Sequence, residues 1–173
     1  NVALGTRAGL GMKGSGNIIM GTVAGSNAGK NADGSDGTVL SNSIIMGTQA
    51  GNNAGGDKNI ILGNYMNNAV MANNVVAVGS NSRVTKQFGL GLGHGIINDA
   101  QYGLAVGSYN KLSETAKKSG IFGIGNYGKT TLSGAESYVI GNNNEVSTNN
   151  TFVLGNNVST TAANSVNLGS NSE

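Results

Sequence analysis

The sequence lacks cysteine, proline and tryptophan, and only 5% of its 173 residues are aromatic and 10% charged. Without cysteine, the chain has no disulfides, thiol catalysis or cysteine-based metal sites. Its net charge is +2 and its ten Lys and Arg residues are scattered. The clustered basic surface typical of a nucleic-acid-binding protein is therefore not predicted. No apolar run approaches 18 residues, so we predict no transmembrane helix and no direct membrane insertion.

What the chain has in abundance is glycine, 30 residues, without the triplet pattern of collagen. A short apolar run ends in a glycine eleven times, and successive glycines are 16, 26, 16, 16, 14, 14, 18, 16, 14 and 14 residues apart. A period this regular indicates a stack of one small unit. We therefore predict a single repeat domain over residues 1–173. The corner glycines are Gly5, Gly21, Gly47, Gly63, Gly79, Gly93, Gly107, Gly125, Gly141, Gly155 and Gly169. Because Asn1 already lies inside a repeat, we expect a fragment of a longer protein.

Each apolar run is predicted to be a β-strand. The residues three and one before the corner glycine are large and apolar in every copy, the alternation of a strand with one buried face. The glycine itself is expected to turn the corner with φ > 0. Further apolar residues indicate a shorter return strand: Val84, Leu112 and Val146, five after their glycines, and Val158, three after. Stacked strand–corner–strand units predict an all-β fold, a narrow parallel β-solenoid.

The residue two before the glycine is then expected to point outward, yet ten of the eleven carry no polar side chain. A long exposed apolar stripe of this kind is typical of an interface. We therefore predict self-association through these residues. The candidates for a trimer interface are Ile19, Ile45, Ile61, Val139 and Val153.

The repeat N-S-V-x-[ILV]-G, seen most closely in Ser165–Gly169 and Asn1–Gly5, resembles the head domain of trimeric autotransporter adhesins of the Yersinia-adhesin type. The resemblance covers essentially the whole chain. It implies a left-handed parallel β-roll of 14–16-residue repeats, assembled as a homotrimer. It also implies a non-catalytic virulence factor without cofactor or metal, anchored in the bacterial outer membrane through a region outside this sequence. The implied partners are host matrix proteins of the fibronectin, laminin or collagen class, or cell-surface receptors.

Two stretched units supply candidate ligand-binding loops, because insertions in solenoids emerge on one face and often carry binding. The candidates are Lys30, Asp33 and Asp36 in the first loop, within residues 22–43, and Lys111, Lys117 and Lys118 in the second. Tolerated surface variation is the plain alternative for both loops. Asp33 and Asp36 lack the spacing of a calcium loop, so a turn with solvated carboxylates is the better interpretation.

Three other functions are weighed against the adhesin head. A left-handed β-helix acyltransferase would need six-residue subperiods, which spacings of 14 and 16 break. The single histidine, His94, has no sequence neighbour suited to orient it for catalysis and is predicted to be a surface-loop residue. An ice-binding solenoid would need a regular threonine array, which is absent. A purely structural spacer or autoagglutination module remains open.

Overall fold

The computed structural model describes residues 1–31, 33–66, 70–125 and 130–171. Within these ranges the chain forms short β-strands and turns and no helix. The strands are β1 (Val2–Leu4), β2 (Ile18–Met20), β3 (Leu40–Ser41), β4 (Ile44–Met46), β5 (Gly56–Asp57), β6 (Ile60–Asn64), β7 (Val76–Ser80), β8 (Arg83–Val84), β9 (Leu90–His94), β10 (Ile97–Asn98), β11 (Leu104–Ser108), β12 (Asn110–Leu112), β13 (Gly120–Ile124), β14 (Thr130–Leu132), β15 (Tyr138–Ile140), β16 (Glu145–Val146), β17 (Phe152–Leu154) and β18 (Val166–Leu168).

Every coil contributes one strand to a long parallel sheet, in the order β1-β2-β4-β6-β7-β9-β11-β13-β15-β17-β18. Equivalent repeat positions pair with one another, as Gly63 with Gly79 and Leu62 with Val78. A short parallel sheet, β16-β14-β12-β10-β8, forms the opposite wall of the later coils, and β3 pairs with β5 in the earlier ones. The predicted parallel β-solenoid is therefore confirmed. The return strand is confirmed too, because Val84, Leu112 and Val146 are buried in the short sheet.

The inner and outer faces of the long sheet are the reverse of the prediction. The residue two before the corner glycine points inward, and its two neighbours point outward. The five predicted interface residues are core residues, each at most 1% exposed, and so cannot form a trimer interface: Ile19, Ile45, Ile61, Val139 and Val153. Alternation separates two faces of a strand but does not say which one is enclosed.

The inward residue is matched in size to the opposite wall. In the coil of Ile45 the opposite wall is small: a Cβ added to Gly51 would lie 2.7 Å from Cδ1 of Ile45. At Gly91 the relation is reversed, since an added Cβ would lie 2.8 Å from Cγ2 of Val84, which comes from the other wall. Because interiors are close-packed, a single inward position per strand holds isoleucine in one coil and glycine in another.

One repeat is displaced from its predicted register. Gly107 pairs with Gly123, and Val106 with Phe122, while Phe122 pairs in turn with Ile140. The corner glycine of this coil is therefore Gly123 and not Gly125. The error arose because Gly123 and Gly125 both follow apolar residues, and only pairing with the neighbouring coils distinguishes them.

The corner glycines are required by the closeness of successive coils. Nine of the eleven corner glycines have the predicted positive φ, whereas Gly123 and Gly155 do not. At Gly79, for example, φ is 137°. An added Cβ there would lie 1.8 Å from the carbonyl oxygen of Gly93 in the next coil. Adjacent strands are about 4.8 Å apart, so no side chain fits at this position.

Polar residues four before the corner glycine connect the coils inside the solenoid. Oδ1 of Asn17 accepts a hydrogen bond from the Ser43 N–H at 2.9 Å. Oγ of Ser43 accepts one from the Asn59 N–H at 3.0 Å, and Oδ1 of Asn59 accepts one from the Val75 N–H at 3.0 Å. These side chains are buried, so each one satisfies a backbone donor that water cannot reach.

Candidate interaction surfaces

The outer side of the long sheet is an apolar surface, which we call the apolar face. It consists of the residues three and one before each corner glycine, and 21 of these 22 positions in the described chain carry apolar side chains. Its exposed members are Val2, Leu4, Ile18, Met46, Ile60, Phe122, Tyr138, Ile140, Phe152, Leu154, Val166 and Leu168. Eleven strands give this face a length of about 48 Å. Contiguous apolar patches on monomeric proteins seldom exceed a few hundred Å², so the face is suited to a partner.

The outer side of the short sheet is polar by comparison. Arg83 lies 3.1 Å from Asp99, and the hydroxyl of Thr85 donates to Asp99 at 2.7 Å. Lys111 is exposed on β12, and Glu145 is exposed on β16. The solenoid is thus amphipathic across its thickness.

The first insertion forms a compact turn. Lys30 and Asp36 form an isolated antiparallel bridge, and Asp36 makes an ion pair with Lys13. Asp33 accepts hydrogen bonds from the hydroxyl and N–H of Ser35. The hydrogen bond from Ser35 holds the pKa of Asp33 below its ordinary value, and the contact with Lys13 does the same for Asp36. Among the residues with described positions, no group of three His, Cys, Asp or Glu is placed to hold a metal.

The three lysines predicted in the second loop do not act as one cluster. Lys111 lies on the short sheet, and Lys118 forms a 3.4 Å ion pair with Glu136. Lys117 lines a surface cavity with Lys86, Gln87, Gln101 and Glu114.

This surface cavity, which we call the corner cavity, has a volume of about 270 Å³. It lies where the chain leaves the short-sheet wall and approaches the next long-sheet strand. Lys86 lies 2.8 Å from Glu114, and both side chains are substantially exposed. The hydrogen bond between them raises the pKa of Lys86 and lowers that of Glu114, which the charge of Lys117 lowers further. Water and salt screen an exposed pair of this kind, so it contributes little to stability.

Two aromatic residues stand at the same corner. Phe88 and Tyr102 follow Gln87 and Gln101 directly, and their rings stack with centroids 4.9 Å apart. They are 43% and 51% exposed and have φ values of 61° and 57°. Bulky residues rarely adopt positive φ, whereas asparagine does so readily. The equivalent corner, five residues before the corner glycine, is also at positive φ in other coils, where it holds Asn42, Asn74, Asn150, Asn164, Lys58, Lys118 or Glu136.

His94 is not a loop residue as predicted but the last residue of β9. Its Nδ1 lies 2.7 Å from Oγ of Ser80, and its Nε2 lies 3.1 Å from the hydroxyl of Tyr109. The Tyr109 ring packs edge-on against the imidazole. These contacts between successive coils hold the half-buried histidine at the solenoid corner.

The residues missed by the sequence prediction are Gln87, Phe88, Gln101 and Tyr102. Their signal was an aromatic residue before a glycine in two neighbouring repeats, Phe88-Gly89 and Tyr102-Gly103. The other copies have asparagine, a charged residue or glycine at the position of the aromatic side chain. Only the folded structure shows that the two pairs of residues lie side by side in successive coils.

Comparisons with known proteins do not assign a family. No protein-family model matches the chain, and no curated protein matches it.

The described residues contain no helix long and apolar enough to cross a membrane.

Proposed function

We propose that this chain is the non-catalytic head of a bacterial surface adhesin, a left-handed β-roll that assembles as a homotrimer and binds host matrix or cell-surface proteins. The proposal is supported by the repeat and its resemblance to trimeric autotransporter heads. The observation that carries it is the apolar face, which extends over all eleven strands of the long sheet.

A second and a third copy of this chain are the partners that fit this face best. The face repeats at every coil, so a copy aligned along the same axis meets apolar side chains over the full length. Identical chains form closed rings when one patch of each protomer contacts a second patch of the next, and the two edges of one broad apolar face supply such a pair of patches. The polar short sheet then remains outside, available to host ligands.

Assembly is tested by introducing a charge on each side of the solenoid. Ile140→Lys places an ammonium on the apolar face, and Ile97→Lys places one on the outward side of the short sheet. We expect sedimentation equilibrium to show a trimer for the native chain and for Ile97→Lys, and dissociation for Ile140→Lys. A native chain that stays monomeric at micromolar concentration would contradict the proposal.

Ligand binding is tested separately, by solid-phase binding of the native trimer to fibronectin, laminin and collagen. We expect saturable binding to at least one of them. A trimer that binds none of the three, but aggregates cells that display it, would favour the spacer or autoagglutination module instead.

A further inference from the structure

We propose that the corner cavity binds a carboxylate-bearing sugar unit, such as a uronic acid within a glycan. The site goes beyond the proposed function, because all of its residues lie on one chain and none belongs to the apolar face. It therefore does not depend on trimer assembly or on binding to a matrix protein.

The charges of the cavity indicate an anionic ligand with a single negative charge. Lys86 and Lys117 contribute two ammonium groups, and Glu114 contributes one carboxylate. Glu114 is paired with Lys86, while Lys117 makes no ion pair within the described parts of the chain. A ligand carboxylate would balance this remaining charge. The nearby Glu114 disfavours a doubly charged phosphate by like-charge repulsion.

The amides of the cavity indicate a ligand with hydroxyl groups. Gln87 and Gln101 occupy equivalent positions in successive coils, since the Tyr102 N–H donates to the Gln87 carbonyl oxygen and the Lys118 N–H to that of Gln101. Both side chains are half-buried, and neither amide has a hydrogen-bond partner among the residues the structure describes. Each amide offers both donors and an acceptor. Two such groups side by side, with a carboxylate acceptor, match the hydroxyls of a sugar ring.

The stacked aromatic pair supplies an independent observation. Phe88 and Tyr102 stack at a corner position that holds asparagine in four coils and Lys58, Lys118 or Glu136 in three, all at a similar positive φ. The backbone conformation is thus common to the repeat, and what distinguishes this corner is the exposed aromatic pair. The two rings follow the lining glutamines in the chain and do not themselves line the cavity. We expect them to contact the apolar C–H side of the ligand at the rim of the cavity. A cavity of about 270 Å³ is near the lower end of small-ligand sites, the size for one sugar unit.

The proposal is tested by isothermal titration of the native chain with three probes. These are an unsulfated hexasaccharide of alternating glucuronate and N-acetylglucosamine, a neutral N-acetylglucosamine hexasaccharide, and a hexaglutamate peptide. Free glucuronate, followed by NMR, distinguishes recognition of a single unit from recognition of a chain. We expect binding of the acidic hexasaccharide and of free glucuronate, and none of the neutral one. Equal binding of the neutral hexasaccharide or of the peptide would overturn the proposal.

The site is located with a matched pair of variants. Lys117→Gln should weaken binding of the acidic hexasaccharide about tenfold or more, because it removes a charge-assisted hydrogen bond. Lys118→Gln makes the same charge change next to it, outside the cavity, and should weaken binding less than about twofold. Equal losses in both variants would show diffuse attraction and would overturn the site.

A third variant keeps the test independent of charge. Tyr102→Asn introduces the residue found at this corner in four other coils, so the chain should remain folded. We expect its binding of free glucuronate to be weakened while its thermal unfolding transition stays cooperative. Undiminished binding would show that the aromatic pair has no part in the site.

Discussion

The early and the later coils enclose the same kind of core with opposite distributions of side-chain volume. In the early coils the long sheet contributes Ile19 and Ile45, and the opposite wall consists of turns that bury alanines such as Ala24 and Ala50. In the later coils the opposite wall is the short sheet with residues such as Leu112, while the long sheet contributes small residues at Ala77, Gly91 and Ala105 and large ones again at Ile121 and Val139. Between the coils of Ile45 and Ala105, a smaller residue on one wall therefore accompanies a larger residue on the other, as close packing requires.

The corner glycines should be equally sensitive in both regions. Gly21→Ala and Gly79→Ala each place a Cβ closer to the next coil's carbonyl oxygen than the van der Waals contact distance allows, at a positive φ. We expect overpacking and strain together to lower the free energy of unfolding by about 2–6 kcal/mol. Urea denaturation measures this loss. Gly34→Ala, also at positive φ but with nothing within 4 Å, should cost about 1 kcal/mol.

The distribution of side-chain volume predicts which wall of each coil loses more stability when an inward side chain is shortened. On the long sheet, Ile45→Ala should cost about 2–5 kcal/mol, and Ala105→Gly only about 1 kcal/mol. On the opposite wall the later coils should be the more sensitive ones. Leu112→Ala should lower the free energy of unfolding strongly, and Ala50→Gly only slightly. Chemical denaturation of the four variants gives the comparison. Equal losses on both walls of one coil would contradict the matching of large with small residues.

The later coils offer a direct test of cross-core contact. Gly91→Ala should destabilise the protein, since its Cβ would lie 2.8 Å from Cγ2 of Val84. Val84→Ala leaves a cavity by itself but removes that clash. We expect the double variant to be more stable than additivity predicts, with a coupling energy of about 0.5–3 kcal/mol. Additive losses in a double-mutant cycle would show that the two walls relax independently.

The smallest expected effect concerns pH at the two surface ion pairs. The hydrogen bond from Lys13 lowers the pKa of Asp36 below 3.8. The contribution of the Asp36 carboxylate to folding stability is therefore fully present above pH 3.8 and is lost as the pH falls through the lowered pKa. In the later coils the pKa of Lys86 is raised above 10.5 by its hydrogen bond with Glu114, so its contribution is lost as the pH rises through that pKa. NMR titration of both side chains, with Glu114→Gln as control, measures these shifts.

Much of the fold was predictable because its determinants repeat. The spacing from Gly47 to Gly63 and Gly79 already indicates stacked coils, and Val84, Leu112 and Val146 indicate a second wall. The corner cavity was not predictable in the same way. Only Lys117 among its lining residues was a candidate, because Lys86 and Gln87 lie 30 or more residues away from it in the chain.

The sequence by itself determined the repeat, the parallel solenoid, the corner glycines and the amphipathic character of each strand, because these depend on local spacing. The tertiary structure decided which face is enclosed and which glycine, Gly123 or Gly125, turns the corner of the displaced coil. An alternating strand looks the same with its two faces exchanged. The volume of the opposite wall and the pairing of neighbouring coils select the inner one, and both are set by residues a full coil or more apart.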